Sequence, residues 1–272
     1  MVLALALAFY VSSQERVFFE ENEIVSPDVS LGPIVLYFFG VVVLLAVVLF
    51  FIPLRMLRLV FRVLFALMFG YGVFIVTALT WPLAAAGSLA VIAGIAWLFW
   101  ARVWLHDLLL LVVLAGAGSV FGFLFSPWTF MIFMLIIAVY DVLAVRFGFM
   151  VWMADKMSES DTLPAFIFPR QIRDWKMGLR SVSVGDLRSK ESDKREYSIL
   201  GGGDVGFPLM LAVSVFFKAG LGSAALVGVF AIVGLMGAFL VQLLWLKSKP
   251  VPALPPIAFA SLIGFLITEL AF

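Results

Sequence analysis

Between Arg62 and Arg102 lie 39 consecutive residues without a charged side chain, and between Asp107 and Asp141 lie another 33. No feature of the chain constrains its fold more. A bilayer core takes about 20 apolar residues of helix to cross, and lipid offers no partner to an exposed backbone group. Each run is broken once by a turn signal, Trp81-Pro82 in the first and Ser126-Pro127-Trp128 in the second. Each therefore reads as two helical crossings. The same character holds along most of the 272 residues, which are 64% hydrophobic and only 13% charged. The apolar runs are continuous rather than alternating, which argues against a transmembrane barrel. The expected fold is an all-α polytopic membrane protein.

Nine transmembrane helices are expected. The first is short, over residues 1–14; the second covers 31–54; two fill 63–101; two more lie between Asp107 and about Met150; and three cover about 199–217, 220–245 and 252–271. The apolar start, MVLALALAFYVSS, is read as part of the first span rather than as a signal-peptide core, since no basic leader precedes it. The acids Glu15, Glu20, Glu21, Glu23 and Asp28 then fall in the first outer loop. Residues 154–197 differ in kind and hold nine of the 18 Lys and Arg. This divides the chain into an N-terminal bundle of six spans (1–153), a cytoplasmic loop acting as gate or flexible connector (154–198), and a C-terminal bundle of three spans (199–272). Lys and Arg concentrate in alternate loops, including Arg55, Arg58, Arg62, Arg102, Lys247 and Lys249. The positive-inside rule then puts the N-terminus in the cytoplasm and the C-terminus outside.

Several function classes drop out early. Net charge is +1 with no basic stripe, so nucleic acid is not an expected partner. Cysteine is absent and His106 is the one histidine, which removes thiol chemistry and a zinc site of the HExxH type. No metal or organic cofactor is expected. Gly116-Ala117-Gly118-Ser119 makes a poor nucleophile turn, and His106 is read as an interfacial residue at the inner membrane edge. Small residues at short spacing (Gly116, Gly118, Gly122; Gly228, Gly234, Gly237) read as close helix packing. No internal repeat is visible, which weakens transporter folds built from paired halves.

Two carboxylates lie within spans, Asp141 in AVYDVLAV and Asp204 in GGGDVGFP. An acid at a span's centre costs roughly 2.5–3.5 kcal/mol, so each is a candidate functional group. Fourteen residues beyond Pro127, at about 1.5 Å each, put Asp141 about 21 Å along a core about 30 Å thick. Asp204 enters the next span from the inner side and reaches a similar depth. Two carboxylates at close range share one proton, so that one draws a proton from water while the other protonates a carbonyl oxygen. A proton-coupled transporter or ion-leak channel is the alternative reading of the same pair, and polar packing residues a third. Gly201, Gly202 and Gly203 let another backbone approach and let the span begin non-helically, as a water-fed cleft for an extended peptide requires. In KPVPALPPIAF, Pro250, Pro252, Pro255 and Pro256 keep the chain extended or kinked; they form either a rigid strip at the site or a plain proline-rich helix start.

Tyr140-Asp141, Gly201-Gly202-Gly203-Asp204 and Pro252-Ala253-Leu254 resemble, in that order, the Tyr-Asp, Gly-x-Gly-Asp and Pro-Ala-Leu motifs of the presenilin and signal-peptide-peptidase family of intramembrane aspartyl proteases. YDVLAV and PALP look closer to presenilins. Two departures stand out: Gly202 occupies the x position, where leucine is common, and the long loop and hydrophilic tail of animal presenilins are missing. The resemblance implies hydrolysis of peptide bonds within transmembrane segments, with Asp141 and Asp204 catalytic and Tyr140 beside them. It implies that Ile199 and Leu200 bind an extended substrate by strand addition and that Pro252 to Leu254 support that edge. It implies a compact microbial homologue in the cell membrane, its catalytic site near the cytoplasmic side, active without accessory subunits, with homo-oligomer formation left open. The apolar stretch Leu163–Pro169 is expected to rest on the inner membrane face.

Overall fold

The computed structural model describes residues 1–159, 162–182, 196–242, 244 and 252–271. Helices dominate. In chain order they are α1 (Val2–Glu21), α2 (Leu31–Phe51), α3 (Leu54–Ala78), α4 (Leu83–Phe99), α5 (Val103–Leu124), α6 (Pro127–Arg146), α7 (Phe149–Glu159), α8 (Gly202–Val241) and α9 (Leu254–Ala271). Strands β1 (Ala165–Pro169) and β2 (Tyr197–Gly201) form an antiparallel pair between α7 and α8. Among the described residues six helices are long and apolar enough to cross a membrane, with two shorter apolar helices at Leu83–Phe99 and Leu254–Leu270. The chain is an integral, multi-pass membrane protein.

The turn signals act where the sequence places them. Pro82 caps α4, and Ser126 caps α6 by accepting a hydrogen bond from the Thr129 amide at 3.2 Å, with Pro127 in the first turn. The long helix α8 is broken at Gly220, whose φ of 82° is left-handed. It thus consists of two arms, 202–219 and 221–241.

The core is built around α5 and α8, which pack on each other; α1 and α3 flank α5, while α6 and α9 flank α8. Small residues set these contacts. A Cβ on Gly118 or Gly122 of α5 would run into Leu209 or Val213 of α8. Gly234 of α8 is tighter still, because a Cβ there would lie 2.7 Å from the Ile257 Cα and 2.8 Å from the Pro256 carbonyl oxygen of α9. A Cβ on Gly237, one turn on, would meet nothing within 4 Å among the described residues. Gly234→Leu should therefore destabilise by about 1–3 kcal/mol, read as a lower unfolding midpoint, while Gly237→Leu stays within about 0.5 kcal/mol.

Four expectations need correction. The first helix does not stop near residue 14. It runs to Glu21, and Glu15 lies buried within it, accepting a hydrogen bond from Ser119 of α5 at 3.0 Å. A partner on a neighbouring helix, not the membrane surface, carries that acid. The sixth helix ends at Arg146 rather than near Met150; Gly148, with φ 73°, turns the chain into α7. The described part of the 154–197 region is folded rather than a plain connector, and Ala165, Phe166 and Ile167 are buried in protein instead of lying on the membrane face. His106 is wholly buried among Phe65, Phe69 and Trp97, not interfacial. Arg188, Lys190, Lys194, Arg195, Lys247, Lys249 and Pro250, which entered the reading of loops and orientation, lie outside the described residues.

Candidate active site

Asp141 projects from the C-terminal half of α6 and is 5% exposed. Its Oδ2 accepts a hydrogen bond from the Leu254 amide at 3.2 Å. Leu254 is the first residue of α9, and Pro252 and Ala253 immediately before it are non-helical. The first amides of a helix have no intrahelical partner and suit an anion. Here that N–H, held in place by the proline-rich approach, is given to a buried carboxylate. The strip does more than shape an edge: it joins α9 to α6 at the acid itself.

Asp204 sits in the first turn of α8, a helix that packs against α6, which carries Asp141. The sequence reading had Asp204 in unwound backbone. Instead the helix already begins at Gly202, and only Gly201 stays extended, with φ −56° and ψ 136°. The bareness serves close approach. A Cβ at Gly201 would lie 3.0 Å from Asp204 Oδ2, so the carboxylate occupies the space a side chain would take. A Cβ at Gly202 would lie 2.8 Å from the Pro164 carbonyl oxygen, and the Gly202 amide donates to that same oxygen at 2.9 Å. Gly203 faces Phe207. Pro208, four residues beyond Asp204, has no N–H to give the Asp204 carbonyl, which loosens the helix where the acid sits.

Tyr140 precedes Asp141, and its ring meets Phe38 and Phe39 of α2 edge-on at 6.1 and 5.5 Å between centroids. This is one of the few anchors of α2, in which only Leu49 is buried. Ile199 and Leu200 lie in β2, opposite Ile167 and Phe166 of β1. The expected site residues therefore gather around one place, where α6, α8, α9 and β2 meet. Among the described residues no three of His, Asp and Glu gather to hold a metal ion. A cavity of about 690 Å³ opens elsewhere, lined by Arg16, Glu23, Asp28, Ser126 and Lys218 among others, and contains neither aspartate.

Two residues near this place escaped the sequence reading. Asp107 accepts from the Ile167 amide at 3.0 Å, and His106 Nε2 lies 3.2 Å from the Ala165 carbonyl oxygen. The available signal was the adjacency of two ionisable residues at the start of a long apolar run, which looks the same at a membrane edge as at a buried contact.

A family model described as signal-peptide peptidase, presenilin aspartyl protease matches residues 1–272. Two solved structures of a presenilin family intramembrane aspartate protease, in space groups P2 and C222, are similar in fold. Their TM-scores are 0.64 and 0.61 at 19% identity, and the alignments cover 99% of this chain and 96% and 97% of those chains. No curated protein matches the chain.

Proposed function

The chain belongs to the signal-peptide peptidase and presenilin family of aspartyl proteases, and from that premise we propose that Asp141 and Asp204 form the dyad that hydrolyses peptide bonds inside membrane-spanning helices. The observation that carries the reading is Asp141 on α6 accepting from the Leu254 amide at the start of α9, with Asp204 in the first turn of α8, the helix that packs against both α6 and α9. The dyad shares one proton. One carboxylate takes a proton from water as the water attacks the scissile carbonyl carbon, and the other gives its proton to the carbonyl oxygen. With Oδ2 of Asp141 engaged by Leu254, Oδ1 is the oxygen left to face water and Asp204. On collapse, the carboxyl group that took water's proton gives it to the leaving amine nitrogen as the C–N bond breaks, and the other carboxylate takes a proton back from a hydroxyl of the gem-diol, which restores the dyad.

Substrate reaches the dyad as an extended segment. The hairpin contains two strands among the described residues, so β2 keeps one edge for strand addition, with the Ile199 backbone on that edge and Leu200, whose own backbone faces β1, beside it. Tyr140 and the Gly201–Gly203 run border the cleft, and Pro252 to Leu254 support it. Nine crossings follow if the two arms of α8 count separately and α7 lies at the surface. Lys and Arg bias then puts the N-terminus and the dyad toward the cytoplasmic side of a microbial cell membrane, and the C-terminus outside. The six-span bundle (1–153) and the three-span bundle (199–272) each supply one aspartate, and the segment between them (154–198) acts as a gate. The transporter reading has no support from the family or the fold.

The purified single chain, placed in liposomes, is expected to cleave members of a panel of single-span reporter peptides without added subunits. An aspartic-protease transition-state mimic is expected to block cleavage and raise the unfolding temperature. A folded chain that cuts no reporter and gains no thermal protection from the mimic sinks this reading.

A further inference from the structure

His106 and Asp107 are adjacent on α5, 0% and 8% exposed, and the dyad chemistry has no use for either. A buried polar side chain is costly unless bonded, and an ionisable one at membrane depth more so. Both find their partner on the same strand. A carbonyl oxygen only accepts, so His106 Nε2 donates to Ala165, while Asp107 Oδ1 accepts from the Ile167 amide. Among the described residues, His106 Nδ1 and Asp107 Oδ2 find no partner in hydrogen-bonding geometry.

Those two backbone groups lie on one particular edge of β1. In an antiparallel pair, the backbone groups of successive residues alternate between facing the partner strand and facing away. Gly202 donates to Pro164, and Arg170 donates to Glu196, so the even-numbered residues of this segment face β2. Ala165 and Ile167 therefore face away from β2. A free strand edge with an unmet acceptor and donor is an open template for another strand. On α5 one side chain supplies a donor and the next an acceptor, spaced to meet both groups. Phe65, Phe69 and Trp97 surround the imidazole and fix its place.

We propose that His106 and Asp107 are positioning residues that cap the outer edge of β1, leaving β2 as the one edge of the hairpin open to an extended substrate beside Asp204. This rests on the protease reading above and goes beyond it. The cap anchors β1 to α5; Pro164, just before β1, anchors Gly202; and Gly202 leads in two residues to Asp204. Loss of the cap thus frees a competing edge and loosens the approach to Asp204 together.

Three variants separate this role from plain packing. Asp107→Leu removes the acceptor while keeping the same branching of heavy atoms, Asp107→Asn keeps the acceptor, and His106→Phe keeps a ring in the aromatic cage but removes the donor. The readouts are kcat and KM on a cleavable reporter, and amide exchange at Ile167 and Gly202, at a temperature where all variants are folded. Asp107→Leu and His106→Phe should each lower kcat at least about tenfold, since small misplacements of reacting groups cost that much or more. Exchange should quicken at both amides. Asp107→Asn should stay within about threefold of wild type, because its amide oxygen still accepts from Ile167. Folded Asp107→Leu and His106→Phe with wild-type kcat and unchanged exchange overturn the proposal. So does failure of both to fold, which would make the pair structural only. If Asp204→Ala cuts as well as wild type, the protease reading fails instead, and the exchange data alone then judge the cap.

Discussion

Asp141→Asn and Asp204→Asn should each bring reporter cleavage down to background, a loss of at least about 10³-fold in kcat, within the range that general acid–base groups contribute. Asparagine is the informative substitution because it preserves volume and shape. At position 141 its oxygen still accepts from the Leu254 amide, so the α6–α9 connection survives and only the ability to hold and pass a proton goes. A shared-proton dyad needs both members, so the two losses should be similar and the double variant no worse than either single one. Purified variants are compared in the same liposomes, with unfolding temperature confirming that each is intact. Retention of a tenth of wild-type activity by either variant would remove that aspartate from the dyad. Equal cleavage by all four proteins would identify a contaminating protease.

The sequence made the helices legible because charge-free runs of 39 and 33 residues have few alternatives in any solvent. Pro82 and Pro127 marked their breaks for equally local reasons, whereas the left-handed turn at Gly220 was not read from the sequence. The candidate site was legible in outline because an acid inside an apolar run is rare enough to be noticed at Asp141 and again at Asp204. What stayed hidden depends on partners remote in sequence. Glu15 read as the end of a span, since its donor, Ser119, lies 104 residues away. His106 and Asp107 read as edge residues for the same reason, with Ile167 lying 60 residues from Asp107. Leu163–Pro169 is short, apolar and bounded by prolines; periodicity does not distinguish a strand buried in protein from a segment resting on lipid. The glycines were read correctly as sites of close approach but assigned the wrong neighbour. Gly202 makes room for the chain's own Pro164 carbonyl, and Gly201 for the Asp204 carboxylate.

The proline strip gave no sign in the sequence that its working part is a backbone amide, and from this follows the second large effect. Leu254→Pro should lower kcat by roughly 10- to 100-fold with little change in KM. A hydrogen bond to a charged group is worth about 1.5–3 kcal/mol, and about 1.4 kcal/mol is tenfold in rate. The substitution is selective. Proline fits the first position of a helix, where its missing N–H has no intrahelical partner, so α9 has no reason to unravel. What is lost is the one hydrogen bond to Asp141 Oδ2, leaving a buried carboxylate to reorient in the cleft. Leu254→Val keeps the amide and trims the side chain, and it should stay within about threefold, a change of under 1 kcal/mol. Steady-state kinetics on the reporter, with unfolding temperature as the check on folding, distinguishes the two. If both variants lose activity alike, the Leu254 side chain matters and the amide does not. If Leu254→Pro keeps wild-type kcat, Asp141 is oriented by something other than the start of α9, and the Pro-Ala-Leu segment returns to a role at the cleft edge alone.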